Sequence, residues 1–160
     1  MTLMKYINLR PFQIHLSADP MAVRETIMVT RDHWLGAGLT EDTAELVEQV
    51  LAEALNNVVE HAQMDRPDGS VELAIQQTDT GLNCVIRDDG APMLDGKLPD
   101  GKLADVPLDI QDLPEGGFGW FLIRTLARDL EYTRISGWNF LSFEIPSSSW
   151  ENTNPTARAS

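Results

Sequence analysis

Asn57, Asp88, Gly90 and the run Gly116-Gly117-Phe118-Gly119 are the residues whose types and placement could do chemistry. Asn57 offers an amide oxygen, a hard ligand suited to magnesium that adds no negative charge. Asp88 ends an alternating run and can accept a hydrogen bond from an exocyclic amine, and Gly90 leaves room for a flat ring against the backbone. The glycine run opens a short apolar stretch. Gly117 and Gly119 there let peptide N–H groups approach an anion at a helix N-terminus. A metal ligand, an amine acceptor and a bare-backbone anion cradle together meet the needs of a purine nucleotide with its metal ion.

These residues require elements to hold them. Residues 45–62, ELVEQVLAEALNNVVEHA, read as an amphipathic helix with Val47, Val50, Leu51, Ala54, Leu55, Val58 and Ala62 at helical spacing. At ~100° per residue, Glu53, Asn57 and His61 climb one edge of that stripe, whereas Asn56 points away from it. Three polar side chains beside a buried face are well placed to border a pocket. Thr40 is the expected N-cap, with Glu41 and Asp42 at the positive end of the helix dipole.

A preceding helix is expected over about residues 21–35. Ser17 or Asp19 caps it, Pro20 sits in its first turn, and Gly36-Ala37-Gly38 ends it. Residues 6–16 read as a strand interrupted near Pro11. Val71, Leu73 and Ile75 alternate with polar residues and form a hairpin with Leu82, Cys84 and Ile86 across Asp79-Thr80-Gly81. Asp88 continues the Leu82–Cys84–Ile86 face and therefore points inward. Residues 91–115 have no period and read as a long loop able to close over a ligand. A short helix over residues 120–127 and a hairpin of residues 130–135 and 138–145 across Ser136-Gly137 complete the chain. Trp34, Trp120 and Trp138 are expected in the core. The order predicts an α/β (α+β) fold: a two-layer sandwich whose mixed, mostly antiparallel sheet is covered on one face by about three helices. Residues 1–146 form the expected ligand-binding domain, and residues 147–160 a disordered polar tail.

Composition narrows the function. The chain has 160 residues, 12 basic against 25 acidic, and a net charge of -13. That balance argues against direct nucleic-acid binding and against anionic membranes. It does not exclude a nucleotide, whose charge can be carried by magnesium and backbone N–H groups. A single cysteine, Cys84, can make neither an internal disulfide nor a thiolate metal cluster, which fits a reducing compartment. With no apolar N-terminal run and no spanning segment, the expectation is a soluble, cytoplasmic protein.

Taken in order, Glu53-x-x-x-Asn57-x-x-x-His61-Ala62, Asp88-x-Gly90 and Gly117-x-Gly119 resemble the N box and glycine boxes of the GHKL ATP-binding superfamily, which has the Bergerat fold. Within it, the chain is most similar to the stand-alone anti-sigma factor serine/threonine kinases of the RsbW and SpoIIAB type. The resemblance covers roughly residues 22–145. It implies Glu53 as the general base, Asn57 as the magnesium ligand, Asp88 as the adenine reader with Gly90 its backbone partner, and Gly117 and Gly119 at the phosphates. His61 lines the phosphate side or is a packing histidine. It implies ATP and Mg2+ as ligands, and a STAS-type anti-sigma factor antagonist and a sigma factor as partners. A homodimer is left open.

One departure stands out. The kinase branch carries a basic residue before its last glycine box, where this chain has Pro114-Glu115. Lys97 and Lys102, in the loop, are the cations that could replace it. Four functions follow for comparison. A kinase acting by partner switching would need Glu53. A non-catalytic ATP-dependent switch would not. A histidine-kinase-type ATPase domain would need a phosphoacceptor histidine, and His33 lacks the expected surroundings. An interaction module would bind no nucleotide at all.

Overall fold

The computed structural model describes residues 11–63, 66, 68–100 and 117–147. Strand β1 (Phe12–Ser17) is followed by helices α1 (Pro20–Gly36) and α2 (Glu41–Asn57). Helix α2 runs on into a single π turn, Val58–Ala62. Strands β2 (Ser70–Gln77) and β3 (Gly81–Asp88) come next, then a 3-10 turn at Leu94–Gly96, helix α3 (Gly117–Leu126), and strands β4 (Arg128–Ile135) and β5 (Trp138–Pro146).

Local chemistry accounts for these boundaries. Asp19 caps α1 by accepting from the N–H of Ala22 at 2.9 Å, and Pro20 follows it at a position where a missing N–H costs nothing. Thr40 caps α2 by accepting from the N–H of Thr43 at 3.4 Å. Ser136 and Gly137 both have positive φ, 51° and 85°. That geometry suits the tight turn between twisted antiparallel strands and brings β5 back along β4.

The five strands lie in the order β1-β2-β3-β5-β4. Every pair is antiparallel among the described residues, so the sheet expected to be mixed contains no parallel pairing. The order arises because β4 and β5 form a hairpin whose second strand, not its first, docks on β3.

Alternation decides what faces the helices. Val71, Leu73, Ile75, Leu82, Cys84, Ile86 and Ile145 are fully buried, and Leu141 and Phe143 nearly so. They meet Val47, Val50, Leu51, Ala54 and Leu55 of α2 in one core. Trp34 and Trp120 are buried as expected. Trp138 is instead half-buried on the opposite face, 3.9 Å beneath the Arg87 guanidinium. It follows the strand's period of two, which places Asn139, not Trp138, on the helix side. Cys84 is buried, and desolvation, with the nearby Glu144 charge, pushes its thiol well above the ordinary range, so it acts as a small apolar side chain.

No helix among the described residues is long and apolar enough to cross a membrane. The tail expected from residue 147 and the strand portion over residues 6–10 lie outside the described residues, apart from Ser147.

Leu51 sits at the centre of the helix face with no exposed surface. Leu51→Ala should lower unfolding free energy by about 2–5 kcal/mol, read from urea denaturation, with the urea dependence of the free energy unchanged.

Candidate functional site

A cavity of about 770 Å³ lies between α2, the inward face of β3 and β5, and the loop that follows β3. That is a ligand-sized space, within the ~300–1,000 Å³ of ordinary small-molecule sites. Asn57, His61, Asp88 and Lys97 all line it.

Asn57 is the last residue of α2 and is 8% exposed. Its Nδ2 is buried without a hydrogen-bond partner among the described residues. A buried amide left unpaired is costly in a fold that satisfies most such groups, so its polar end suits a ligand rather than the core. Its neighbour Asn56 turns toward α1 and borders a separate groove with Val23 and Ile27.

His61 does not keep the straight helical edge that its spacing suggests. The α-helix ends at Asn57, and the π turn advances fewer degrees per residue, so His61 rotates outward to an exposed place on the cavity wall. Glu53 is half-buried and stands against the first turn of α3: a Cβ on Gly119 would lie 2.5 Å from Glu53 Oε2. Gly119 therefore matters for the close approach of α3 to that carboxylate. Gly117 begins α3. Gly116 and Lys102 lie outside the described residues, as do Pro114 and Glu115 and the side chain of Phe118.

Asp88 is 3% exposed at the end of β3. Its Oδ1 accepts from the Gly90 N–H at 2.8 Å, from Asn139 Nδ2 at 3.1 Å and from Gln63 Nε2 at 3.3 Å. Burial raises its pKa, and those three donors only partly offset the effect. Asp89 behaves oppositely. Its own slight desolvation is outweighed by the Ser70 N–H, Gln63 and the Arg66 guanidinium, which together hold its carboxyl below the ordinary range. Gly90 is used differently from the sequence expectation. A Cβ there would fall on the Ala62 carbonyl, so its bare Cα lets the end of α2 pack against the strand end and does not by itself leave room for a ring. The Ala91 N–H closes that contact on the Ala62 carbonyl at 2.8 Å.

Sequence reasoning missed Gln63, Asn139, Tyr132 and Arg134. Asn139 is the most informative of them. It is 4% exposed and stands directly across the ladder from Asp88. Its signal was a polar residue at the head of the inward series Asn139, Leu141, Phe143, Ile145. Tyr132 and Arg134 lie on the inward side of the edge strand β4 and reach the Asn139 Oδ1 at 2.6 and 2.8 Å. Beyond the bonds at Ala91, the loop's described part, residues 91–100, is held by Met93 N–H to Tyr132 Oη at 3.1 Å and by Arg124 Nε to the Pro99 carbonyl at 2.9 Å.

Known proteins resemble this chain in sequence and fold. The profile of the histidine kinase-like ATPase domain matches residues 16–144. Serine-protein kinase RsbW of Halalkalibacterium halodurans is 34% identical over 101 residues, covering 62% of this chain and 61% of that protein. Serine/threonine-protein kinase BtrW of Bordetella bronchiseptica is 33% identical over 90 residues, covering 56% of this chain and 61% of that protein. The matches thus span less than two thirds of either relative. A crystal structure of the RsbU and RsbW domains of a Mycobacterium tuberculosis protein superposes with a TM-score of 0.58, over 85% of this chain and 32% of that one. At 16% identity that likeness is one of fold.

The raised pKa of Asp88 fixes a sign. Its folded form binds a proton more readily than the unfolded chain, so its contribution to stability is lost as pH rises through its folded pKa. Asp88→Asn keeps an oxygen for the three donors and removes the titration. Thermal unfolding of this variant should therefore gain on the wild type as pH rises from the ordinary carboxylate range toward neutrality.

Proposed function

The chain belongs to the histidine kinase-like ATPase domain family, and from that premise we propose that it is an ATP-dependent serine/threonine protein kinase acting on an anti-sigma factor antagonist. The observation that carries the reading is the convergence of Asn57, Asp88, His61 and Lys97 on one cavity, with Glu53 beside the first turn of α3. Asp88 accepts a hydrogen bond from the 6-amino group of adenine through Oδ2, the oxygen to which no donor among the described residues is bonded. The N–H groups at Gly117–Gly119 open α3, where its dipole favours phosphate. Lys97 adds a positive charge from the loop, and His61 also lines the cavity.

The donor set fits a magnesium ion. Asn57 would hold it through the amide oxygen, leaving the unpaired NH2 to donate to the ligand, and magnesium is commonly held by one or two protein ligands with substrate phosphates completing its shell. Bound there, magnesium would neutralise charge on the phosphates during transfer. Glu53 takes the proton from the partner's serine or threonine hydroxyl as that oxygen bonds to the terminal phosphorus and the bond to ADP breaks. The names of the two curated relatives support a protein kinase, and partner switching between an antagonist and a sigma factor is the regulatory logic we propose. Residues 1–146 are the proposed ATP-binding unit, working in the cytoplasm.

A second reading has one observation in its favour. Pro114-Glu115 replaces the basic residue expected before the last glycine box. A close cation–phosphate pair contributes several kcal/mol, about 4 at ~4 Å with an effective dielectric of ~20. Without it, the fold could serve as an ATP-dependent binding switch that transfers nothing.

One set of measurements separates the two. Magnesium and ATP at ~100 times the dissociation constant should stabilise the wild type by ~2.7 kcal/mol. Glu53→Gln should keep ATP affinity within about threefold yet cut label transfer from ATP to the antagonist by about 10²–10⁴-fold. Gly119→Ala should fold as stably as wild type, within about 1 kcal/mol, but lose transfer because its methyl displaces the Glu53 carboxylate. Partner release by ATP that survives Glu53→Gln, with no label on the antagonist in any variant, would establish the switch instead.

A further inference from the structure

We propose that Asn139 is a positioning residue for base recognition: it fixes the Asp88 carboxylate so that Oδ2 alone is offered to an adenine amine, and through Tyr132 it ties that carboxylate to the loop at Met93. The proposal rests on the nucleotide reading above and adds to it a residue that none of the recognised motifs contains.

The argument begins with the hydrogen bonds of the carboxylate. All three donors to Asp88, from Gly90, Asn139 and Gln63, end on Oδ1. Oδ2 accepts none from the described residues, and Asp88 faces the cavity. A carboxylate held through one oxygen presents the other in a fixed direction. A freely turning one would offer either oxygen and would discriminate poorly.

Asn139 is itself locked. Its Oδ1 accepts from Tyr132 Oη at 2.6 Å and from Arg134 Nη1 at 2.8 Å. With two donors aimed at that side, the amide oxygen must face them, and the NH2 must face Asp88. The NH2 then serves Asp88 Oδ1 at 3.1 Å, the Ala91 carbonyl at 2.9 Å and the Gly90 carbonyl at 3.3 Å. Arg134 holds the Gly90 carbonyl as well, at 2.9 Å. An amide turned through 180° would set an oxygen against Asp88 and an NH2 against a guanidinium, so the orientation is strongly determined.

Tyr132 extends this lock to the loop. Its hydroxyl donates to Asn139 and accepts the Met93 N–H at 3.1 Å. Met93, Tyr132, Asn139 and Asp88 all line the cavity, so the chain of bonds runs along its wall. A base seated on Asp88 therefore rests on the same network that anchors the start of the loop carrying Lys97.

The test compares ATP with purine riboside triphosphate, which lacks only the 6-amino group. Magnesium-loaded wild type, Asn139→Ala and Tyr132→Phe are titrated with both by calorimetry, and each variant's melting temperature is recorded. The wild type should prefer ATP. Asn139→Ala should lose about tenfold or more of that preference by weakening ATP binding, while the analogue's affinity stays within about threefold. Tyr132→Phe should lose about threefold of the preference and raise the hydrogen-exchange rate of the Met93 amide. Equal weakening toward both nucleotides, or an unchanged preference, would show Asn139 to be merely structural and overturn the proposal. If Asn139→Ala does not fold, Tyr132→Phe decides by the same ratio. A wild type that binds neither nucleotide overturns the parent reading, and with it this one. A wild type that binds both equally retains a nucleotide site but removes the base reading.

Discussion

A carboxylate buried at the end of a strand is the constraint around which this structure is arranged. Removing an ionised group from water costs several kcal/mol unless hydrogen bonds replace its hydration. Asp88 receives donors from three separate parts of the chain: the turn after β3, the residue that follows the π turn of α2, and the strand β5. None can move far without leaving the charge uncompensated. The requirement also fixes sheet register. Asp88 pairs with Asn139 across the β3–β5 ladder, and a slip of one residue would present Phe140 in its place. The apolar pattern of β5 demands the same register, because Leu141, Phe143 and Ile145 must face the helices. Packing and electrostatics thus specify one alignment.

The adjacent pair Asp88-Asp89 shows how environment divides two identical side chains. Strand alternation sends Asp88 inward, where burial raises its pKa, and leaves Asp89 at the surface. There Asp89 meets Arg66, whose Nη2 lies 3.2 Å from its Oδ2, and it accepts from the Ser70 N–H and Gln63. Asp89 is consumed in joining β2 to the segment after α2. Asp88 keeps one oxygen without a donor among the described residues. In a chain of net charge -13, Arg134 is bonded, among the described residues, to the Gly90 carbonyl and the Asn139 amide oxygen rather than to a carboxylate.

Much of this was legible in the sequence. Period-two runs located β2, β3 and β5, and the inward direction of Asp88 followed from counting along Leu82, Cys84 and Ile86. Ser17 or Asp19 ahead of Pro20, and Thr40, announced both long helices, and Asp19 is the cap that forms at α1. The residues that hold Asp88 were harder to see, because their roles come from pairing between distant segments. Asn139 acquires its function only when β5 docks on β3, and Tyr132 and Arg134 only when the β4–β5 turn closes. Trp138 was misplaced for a related reason: aromatic content suggested core, whereas alternation with Asn139 puts it on the open face under Arg87. Gly90 looked like space for a ligand, yet that space is filled by the chain's own Ala62 carbonyl.

The π turn is the remaining departure from regular pattern, and it links the helix layer to the site. An uninterrupted α-helix would carry Val58–Ala62 onward with 3.6 residues per turn. Widening that turn changes the direction of the chain at Ala62, whose carbonyl then accepts the Ala91 N–H. Gln63, the next residue, is 3% exposed and reaches both Asp88 and Asp89. Its own N–H closes on the Val58 carbonyl at 3.0 Å, the long-range bond that defines the wider turn. A π turn is less favourable than α-helix and persists where tertiary contacts reward it. Here those contacts are the bare Cα of Gly90 and the carboxylate beside it, so the irregular turn and the buried charge support each other.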